Sequence, residues 1–146
     1  MKQKLPHNRT WYFNKLATIA KKCAKERDGY VCQMCEKECV GSDAHGSHID
    51  NVGAHKNMAL DPVNIKCLCS YCHLHRWHKD PREWGPWFNR KFPERALYLD
   101  GVKKLNLRIE TVELAELYEK VRGANGWKVY ANEYMELIKR KTNQGA

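Results

Sequence analysis

Two cysteine pairs, Cys32-Gln-Met-Cys35 and Cys69-Ser-Tyr-Cys72, decide how the middle of this chain folds. Two residues between the thiols let each pair occupy two corners of a tetrahedron around one Zn²⁺ ion. Because four thiolates leave no open coordination position, this zinc is expected to be structural. Neither pair follows a strand in a βαβ pattern, which disfavours a redox dithiol. Cys39 lies four residues after Cys35, a spacing that does not match the pairs, so it is predicted to lie outside the ligand set.

The 146 residues are enough for one compact domain, and residues 1–146 are interpreted as a single domain. No run of about 18 apolar residues is present, so no membrane span and no membrane partner are expected. The N-terminus is basic but lacks the apolar stretch of a secretory signal. We therefore expect an intracellular, cytoplasmic protein, in which clustered thiols favour a metal over disulfides.

The net charge of +9 is unevenly distributed along the chain. Residues 1–109 carry 20 Lys and Arg against 11 Asp and Glu, whereas residues 110–146 carry six of each. A one-sided basic field suits a polyanion, and nucleic acid is the commonest such partner. DNA is the expected partner, and a soluble protein that is merely basic is the plain alternative.

Apolar spacing divides the chain into three regions. An N-terminal helix is predicted over about residues 10–28, the zinc core over about 30–80, and C-terminal helices over about 81–141. Asp80 and Pro81 favour a new helix start, as N-cap and first helical residue. Two apolar stripes, within 114–121 and 127–138, favour core packing or a homodimer through these helices. The basic residues at positions 82, 90, 91 and 95 face either DNA or solvent.

Three further residues surround the second cysteine pair: His48, Asn64 and His73. Taken singly, each has an ordinary explanation, since a lone histidine is commonly a surface residue and an asparagine after Asp-Pro commonly forms a turn or cap. Together they form an ordered pattern, with 15 residues between the first two and eight between the last two. The last histidine directly follows Cys72, as in a ββα-metal finger.

With the cysteine pairs, these residues resemble the HNH nuclease superfamily. The segments Gly-Ser-His-Ile at 46–49, Ala-Leu-Asp-Pro-Val-Asn at 59–64 and Cys-His at 72–73 are similar to phage recombination nucleases of the NinG kind. The similarity covers roughly residues 30–95. It implies an α+β fold with a small zinc-stabilised ββα-metal core, treble-clef-like, and flanking helices.

The resemblance also implies an activity: metal-dependent hydrolysis of DNA phosphodiester bonds in phage DNA recombination or processing, in the host cytoplasm. His48, at the end of the first strand, would be the general base, since a neutral imidazole near pH 7 accepts a proton from water. His73 would bind a catalytic divalent ion such as Mg²⁺ or Mn²⁺. Asn64 would hold the hairpin loop and orient His48, or help to bind the metal.

One position departs from the family pattern, because many relatives carry Asp or His directly before the catalytic histidine. Here that residue is Ser47, a poor ligand for a hard divalent ion. The metal then depends on His73 with water, or recruits one of four other side chains: Asp61, Asp50, His45 or His78.

The main alternative function is a non-catalytic, zinc-stabilised module that binds nucleic acid. The cysteine pairs and the charge suit it equally well, but it does not require His48, Asn64 and His73 together. A zinc module for protein partners leaves the basic excess unexplained. Cleavage of plasmid DNA against a gel shift without cleavage distinguishes the first two.

Overall fold

The N-terminal helix, α1, spans Arg9–Arg27 in the computed structural model, which describes residues 4–50 and 56–144. Its N-cap is Asn8, whose side chain accepts a hydrogen bond of 2.9 Å from a backbone N–H of the first turn. This bond satisfies one of the donors that a helix start leaves free. The face that α1 buries repeats every four residues and consists of Tyr12, Leu16, Ala20 and Ala24. The rest of the fold packs against this face.

A two-stranded antiparallel sheet follows α1, with β1 at Ala44–His48 and β2 at Ile65–Cys69. The register pairs the two ends, Ala44 with Cys69 and His48 with Ile65. A short π-type helix, Cys72–Trp77, comes directly after β2, and we call it the His73 helix. Every residue of β2 is buried, so the sheet lies between α1 and the elements on its other side.

Four helices follow along the described chain: α2 (Pro81–Lys91), α3 (Pro93–Leu105), α4 (Thr111–Val121) and α5 (Gly126–Gln144). The predicted start of α2 is confirmed, since the Asp80 side chain accepts a hydrogen bond from the Glu83 N–H at 3.3 Å. Sequence reasoning did not separate α3 from α2. Phe92 stands between them because Pro93 has no N–H with which to continue the α2 ladder.

The main hydrophobic core lies between α1, α4 and α5. The two C-terminal stripes face it, and their buried members include Leu114, Leu117, Val121, Tyr130, Tyr134, Leu137 and Ile138. These helices therefore use their apolar faces within the chain, and a homodimer through them stays a prediction. A second core surrounds the clustered cysteines, and a third joins Met58 to Phe88 and Leu99.

The α+β expectation is confirmed in its coarse form: a helix-rich fold with one two-stranded sheet in the described residues and four cysteines that come together. The finer ββα-metal assignment stays a prediction. Across residues 4–50 and 56–144, the helices are too short or too polar to cross a bilayer.

Candidate functional site

The four cysteines predicted as ligands, Cys32, Cys35, Cys69 and Cys72, form one cluster. Their sulfur atoms all lie within 4.8 Å of one another, and Cys35 Sγ is 3.8 Å from Cys69 Sγ. Four sulfurs placed about 2.3 Å from a central Zn²⁺ ion are roughly 3.8 Å apart, so the observed spacing fits a tetrahedral ion. The cluster can therefore hold a metal such as zinc.

Backbone N–H groups point at two of the four sulfurs, Cys32 Sγ and Cys69 Sγ. Cys35 N–H points at Cys32 Sγ (N···S 3.5 Å), and Cys72 N–H points at Cys69 Sγ (N···S 3.4 Å). Burial raises the pKa of Cys32, but N–H groups directed at its sulfur bring the pKa down to about 7. The first pair lies in a turn closed by the Val31–Glu38 bridge. The second pair joins the end of β2 to the His73 helix.

Cys23, Cys39 and Cys67 lie outside this cluster. The spacing of the cysteines predicted this for Cys39. Cys39 and Cys67 are buried beside the four ligand candidates, and burial raises the pKa of the Cys67 thiol to about 12. Cys23 is half-buried on α1. These thiols are therefore protonated near neutral pH and pack as small apolar groups.

A cleft of about 780 Å³ brings His48 and His73 to one surface. Its walls come from α1, β1, the His73 helix, α2 and α3. The polar side chains that line it include Lys21, Asp50, His78 and Lys103. Two of the three residues singled out by the sequence pattern therefore face the same space, and the cleft is open to a ligand.

His48 is the last residue of β1, and its Nε2 lies 3.2 Å from the backbone carbonyl oxygen of Ala59. With a proton on Nε2 for this hydrogen bond, Nδ1 keeps its lone pair and can accept a proton. Burial lowers the pKa of His48, and the charges of Lys21 and Lys66 lower it further, against the opposing effect of the Ala59 bond. The imidazole is therefore neutral near pH 7, the state that a general base requires.

Two residues that sequence reasoning missed hold the backbone of His48. Trp77 Nε1 donates to the His48 carbonyl oxygen at 3.0 Å, and Lys66 Nζ donates to the same oxygen at 3.4 Å. Lys66 Nζ also lies 3.2 Å from the Trp77 ring centroid. Burial lowers the pKa of Lys66 well below its usual value. A lysine inside an otherwise apolar strand was the signal that could have revealed it.

The buried Lys66 also explains why a serine, Ser47, stands directly before His48. Ser47 is 1% exposed, pairs with Lys66 across the sheet, and accepts a hydrogen bond from Lys66 Nζ at 3.3 Å. The Ser47 hydroxyl is therefore a hydrogen-bond acceptor for the buried Lys66, and Ser47 does not line the cleft.

Asn64 is fully buried and binds the loop between the strands at both ends. Its Oδ1 accepts a hydrogen bond from Asp50 N–H at 2.9 Å, and its Nδ2 donates to Met58 O at 3.0 Å. Met58 is next to Ala59, whose carbonyl holds the His48 ring. Asn64 therefore contacts the loop that contains the partner of His48, and its side chain does not line the cleft.

His73 lies between two other histidines. Its Nδ1 is 2.9 Å from His45 Nδ1, and its Nε2 is 2.9 Å from His78 Nε2. Two nitrogens bound to one ion at about 2.0–2.2 Å lie roughly 3 Å apart, so either pair fits a divalent ion. Burial, with the charges of His78 and His45, lowers the pKa of His73 to about 4. His73 is therefore neutral near pH 7, with a proton on one ring nitrogen and a lone pair on the other.

The structure separates the four alternative ligands that the sequence left open. Asp61 is fully buried and accepts hydrogen bonds from Tyr98 OH at 2.8 Å and Val63 N–H at 2.9 Å, so it caps a turn away from His73. Asp50 lines the cleft but is paired with Lys103 at 3.3 Å. His45 and His78 are the two that reach His73.

One suggested DNA contact is wrong. Arg95 is half-buried against the start of β2, where its Nη2 donates to the Val63 and Ile65 carbonyl oxygens at 3.0 Å each. Its charge therefore ties α3 to the strand β2. The other three basic residues of that group, Arg82, Arg90 and Lys91, are exposed.

No protein-family model, curated protein or solved structure matches this chain. The chemistry of the site is inferred from the residues that form it. These are a neutral imidazole whose Nδ1 has no hydrogen-bond partner among residues 4–50 and 56–144, a histidine whose two ring nitrogens each approach one further histidine, and a cleft lined by two lysines and two aspartates.

Proposed function

We propose that this protein is a metal-dependent HNH-type endonuclease that hydrolyses DNA phosphodiester bonds, with His48 as the general base. One observation carries the proposal: His48 and His73 line the same cleft, together with His78, although 24 residues lie between His48 and His73 in the sequence. A zinc module that only binds nucleic acid has no need of this convergence. The order of strand, strand and short helix around the site supports the same proposal.

In the proposed reaction, His48 Nδ1 removes a proton from a water molecule as the water attacks phosphorus. The bond between phosphorus and the 3′ oxygen breaks, and that oxygen takes a proton from solvent water. The products are a 5′-phosphate and a 3′-hydroxyl, as in the family that the sequence resembles. The Ala59 carbonyl keeps the Nε2 proton in place, so the ring presents its lone pair to the water. Trp77 and Lys66 hold the backbone of this residue and limit where its ring can point.

A divalent ion such as Mg²⁺ or Mn²⁺ would be held by His73 together with His45 or His78. When bound, such an ion supplies positive charge to the phosphate and to the leaving oxygen. The low pKa of His73 favours this role, because the neutral ring keeps a lone pair on one nitrogen at pH 7.

We propose further that the four-cysteine cluster binds a structural zinc ion. Cys32 and Cys35 precede the sheet, whereas Cys69 and Cys72 join β2 to the His73 helix. An ion at the cluster would therefore fix the start of that helix, and with it His73, relative to the sheet that carries His48.

DNA is the proposed substrate because the positive excess lies in the part of the chain that builds the cleft. Residues 1–109 contain every lining residue of the cleft and the whole net charge. Such a field favours contacts with the phosphate backbone, which give affinity without sequence information. We therefore expect weak sequence preference, and a role in phage DNA recombination or processing follows from the resemblance.

The test is incubation of supercoiled plasmid with zinc-loaded protein and Mg²⁺, Mn²⁺ or a chelator. Metal-dependent relaxed or linear product is expected, and His48→Ala should lower the rate by roughly 10²- to 10⁴-fold, as for the loss of a general base. The matched control is His75→Ala. His75 is an exposed histidine of the His73 helix and does not line the cleft.

The same experiment distinguishes the proposal from its alternatives. Equal loss in both variants would indicate a contaminating nuclease or a folding defect, and full activity in His48→Ala would remove the base assignment. A gel shift of DNA without cleavage by the wild type would instead select the non-catalytic nucleic-acid-binding module.

A further inference from the structure

We infer that Lys21 of α1 forms a phosphate-binding subsite of the cleft, which takes a non-bridging phosphate oxygen of the nucleic-acid backbone next to His48. This inference rests on the proposed function and extends it to a residue outside the segment that resembles a nuclease. The subsite is built by the N-terminal helix, for which the sequence predicted no site residue.

The first observation is a close approach between α1 and β1. A Cβ atom added to Gly46 would lie 2.8 Å from Lys21 Cγ and 3.0 Å from Lys21 Cβ. Real Cβ atoms do not come this close to such atoms, so the absence of a side chain at Gly46 makes room for the Lys21 stem. The lysine is therefore led across the strand two residues before His48, and both residues line the cleft.

The second observation is that the charge of Lys21 is available. The cleft lining contains two lysines, and Lys103 is paired with Asp50 at 3.3 Å. Within the described residues, no salt bridge engages Lys21. Its charge also acts on His48, whose pKa it lowers after the larger effect of burial. A half-buried lysine that lines a cleft, and that has no salt bridge in the described part of the chain, favours an anionic ligand.

The third observation is that Lys21 lines the cleft whereas its neighbour on α1, Lys22, does not. Lys22, the next residue, is exposed and is not part of the cleft lining, although it carries the same charge. Lys21 is thus set apart from other lysines of α1 by its position over Gly46 rather than by its residue type. This pair supplies a matched control for any effect of net charge.

The experiment compares Lys21→Gln with Lys22→Gln. Glutamine keeps most of the stem over Gly46 and removes the charge. Plasmid cleavage is measured under single-turnover conditions with the divalent ion that supports the wild type. Binding of a fluorescein-labelled duplex is measured on the His48→Ala background over a range of salt concentrations.

Lys21→Gln is expected to slow cleavage roughly tenfold to hundredfold, the range for loss of a charged hydrogen bond to phosphate. The slope of log Kd against log salt should fall by about 0.9, the value for one phosphate contact. Lys22→Gln should change the cleavage rate less than about twofold, because its charge is exposed and away from the cleft. Lys21→Arg should retain most of the wild-type activity.

The inference is overturned if Lys21→Gln cuts as fast as the wild type, or if the two glutamine variants lose equal activity. A loss in Lys21→Gln that Lys21→Arg does not recover also overturns it, since the stem rather than the charge would then be responsible. If the wild type neither cuts nor binds DNA, the proposed function fails and the inference falls with it. Failure of the inference alone leaves a wild type that cuts DNA.

Discussion

Replacing Asn64 with alanine is expected to destabilise the protein strongly, because this one amide holds both ends of the loop between β1 and β2. The side chain is fully buried, accepts a hydrogen bond from Asp50 N–H at 2.9 Å and donates to Met58 O at 3.0 Å. A further, longer contact joins Nδ2 to Asp50 O at 3.4 Å. Alanine removes all three contacts and introduces no replacement.

The size of the effect follows from these contacts. Each of the two shorter hydrogen bonds contributes about 1 kcal/mol net to stability. Met58 O keeps a hydrogen bond from Asp61 N–H at 3.3 Å. The half-buried Asp50 N–H loses its acceptor, which adds up to about 2 kcal/mol. We therefore expect Asn64→Ala to lower the free energy of unfolding by about 2–4 kcal/mol, a large part of the roughly 5–15 kcal/mol typical of a domain.

The assay is urea unfolding followed by tryptophan fluorescence, with both proteins saturated with zinc so that metal binding adds equally to each. Asn14→Ala is the control, since Asn14 is an exposed asparagine of α1 and its loss should change stability by less than about 0.5 kcal/mol. Amide exchange of Asp50 should accelerate in Asn64→Ala because its N–H loses its acceptor. A loss of stability below about 0.5 kcal/mol, with unchanged exchange at Asp50, would refute the role assigned to Asn64.

Two further predictions concern the metal cluster and the helical core. Cys69→Ser is expected to abolish stoichiometric zinc binding and to unfold the region around the cluster, because zinc contributes about 10–16 kcal/mol in small zinc-dependent folds. Zinc content and circular dichroism measure this, with Cys23→Ser, a half-buried thiol outside the cluster, as the control; a soluble, folded Cys69→Ser protein would argue against a structural zinc. The Glu113 carboxylate accepts hydrogen bonds from Lys141 Nζ at 2.7 Å and Glu110 N–H at 2.8 Å, and these lower its pKa below the usual value although burial opposes them. Its stabilising effect is therefore present above the unfolded pKa of about 4.3 and is lost as the pH falls through the lower folded pKa. Glu113→Gln should cost up to about 1 kcal/mol at pH 7, and this difference from wild type, followed by thermal unfolding, should shrink below about pH 4. A difference that stays constant across that range would contradict the assignment.

Local features of the fold could be predicted from the sequence. The spacing of the cysteines indicated which four of the seven would meet, since the distance between two thiols in a short turn depends on few backbone angles. The start of α2 at Asp80 followed for the same reason, because a cap bonds within its own turn. The boundary between α2 and α3 was missed, although Pro93 marked it.

The surroundings of His48 and His73 depend on contacts that no local pattern contains. The residue pairs that matter here are far apart in sequence: His45 and His73 differ by 28 positions, and Lys66 and His48 by 18. Arg95 shows the same limit, because a basic residue on a helix has the same pattern whether it faces DNA or binds buried carbonyls.

By itself, the sequence determined which four cysteines come together, the helical stripes and the basic character of the first 109 residues. These depend on spacing, periodicity and composition, which act over a few residues or over the chain as a whole. Only the tertiary structure decided that Ser47 accepts a hydrogen bond from Lys66 and that His45 and His78 contact His73. The same holds for the Lys21 stem, which packs over Gly46 at the edge of the cleft. The physical reason is that side chains from separate elements meet only after those elements have packed, and close packing then determines the atoms that come into contact.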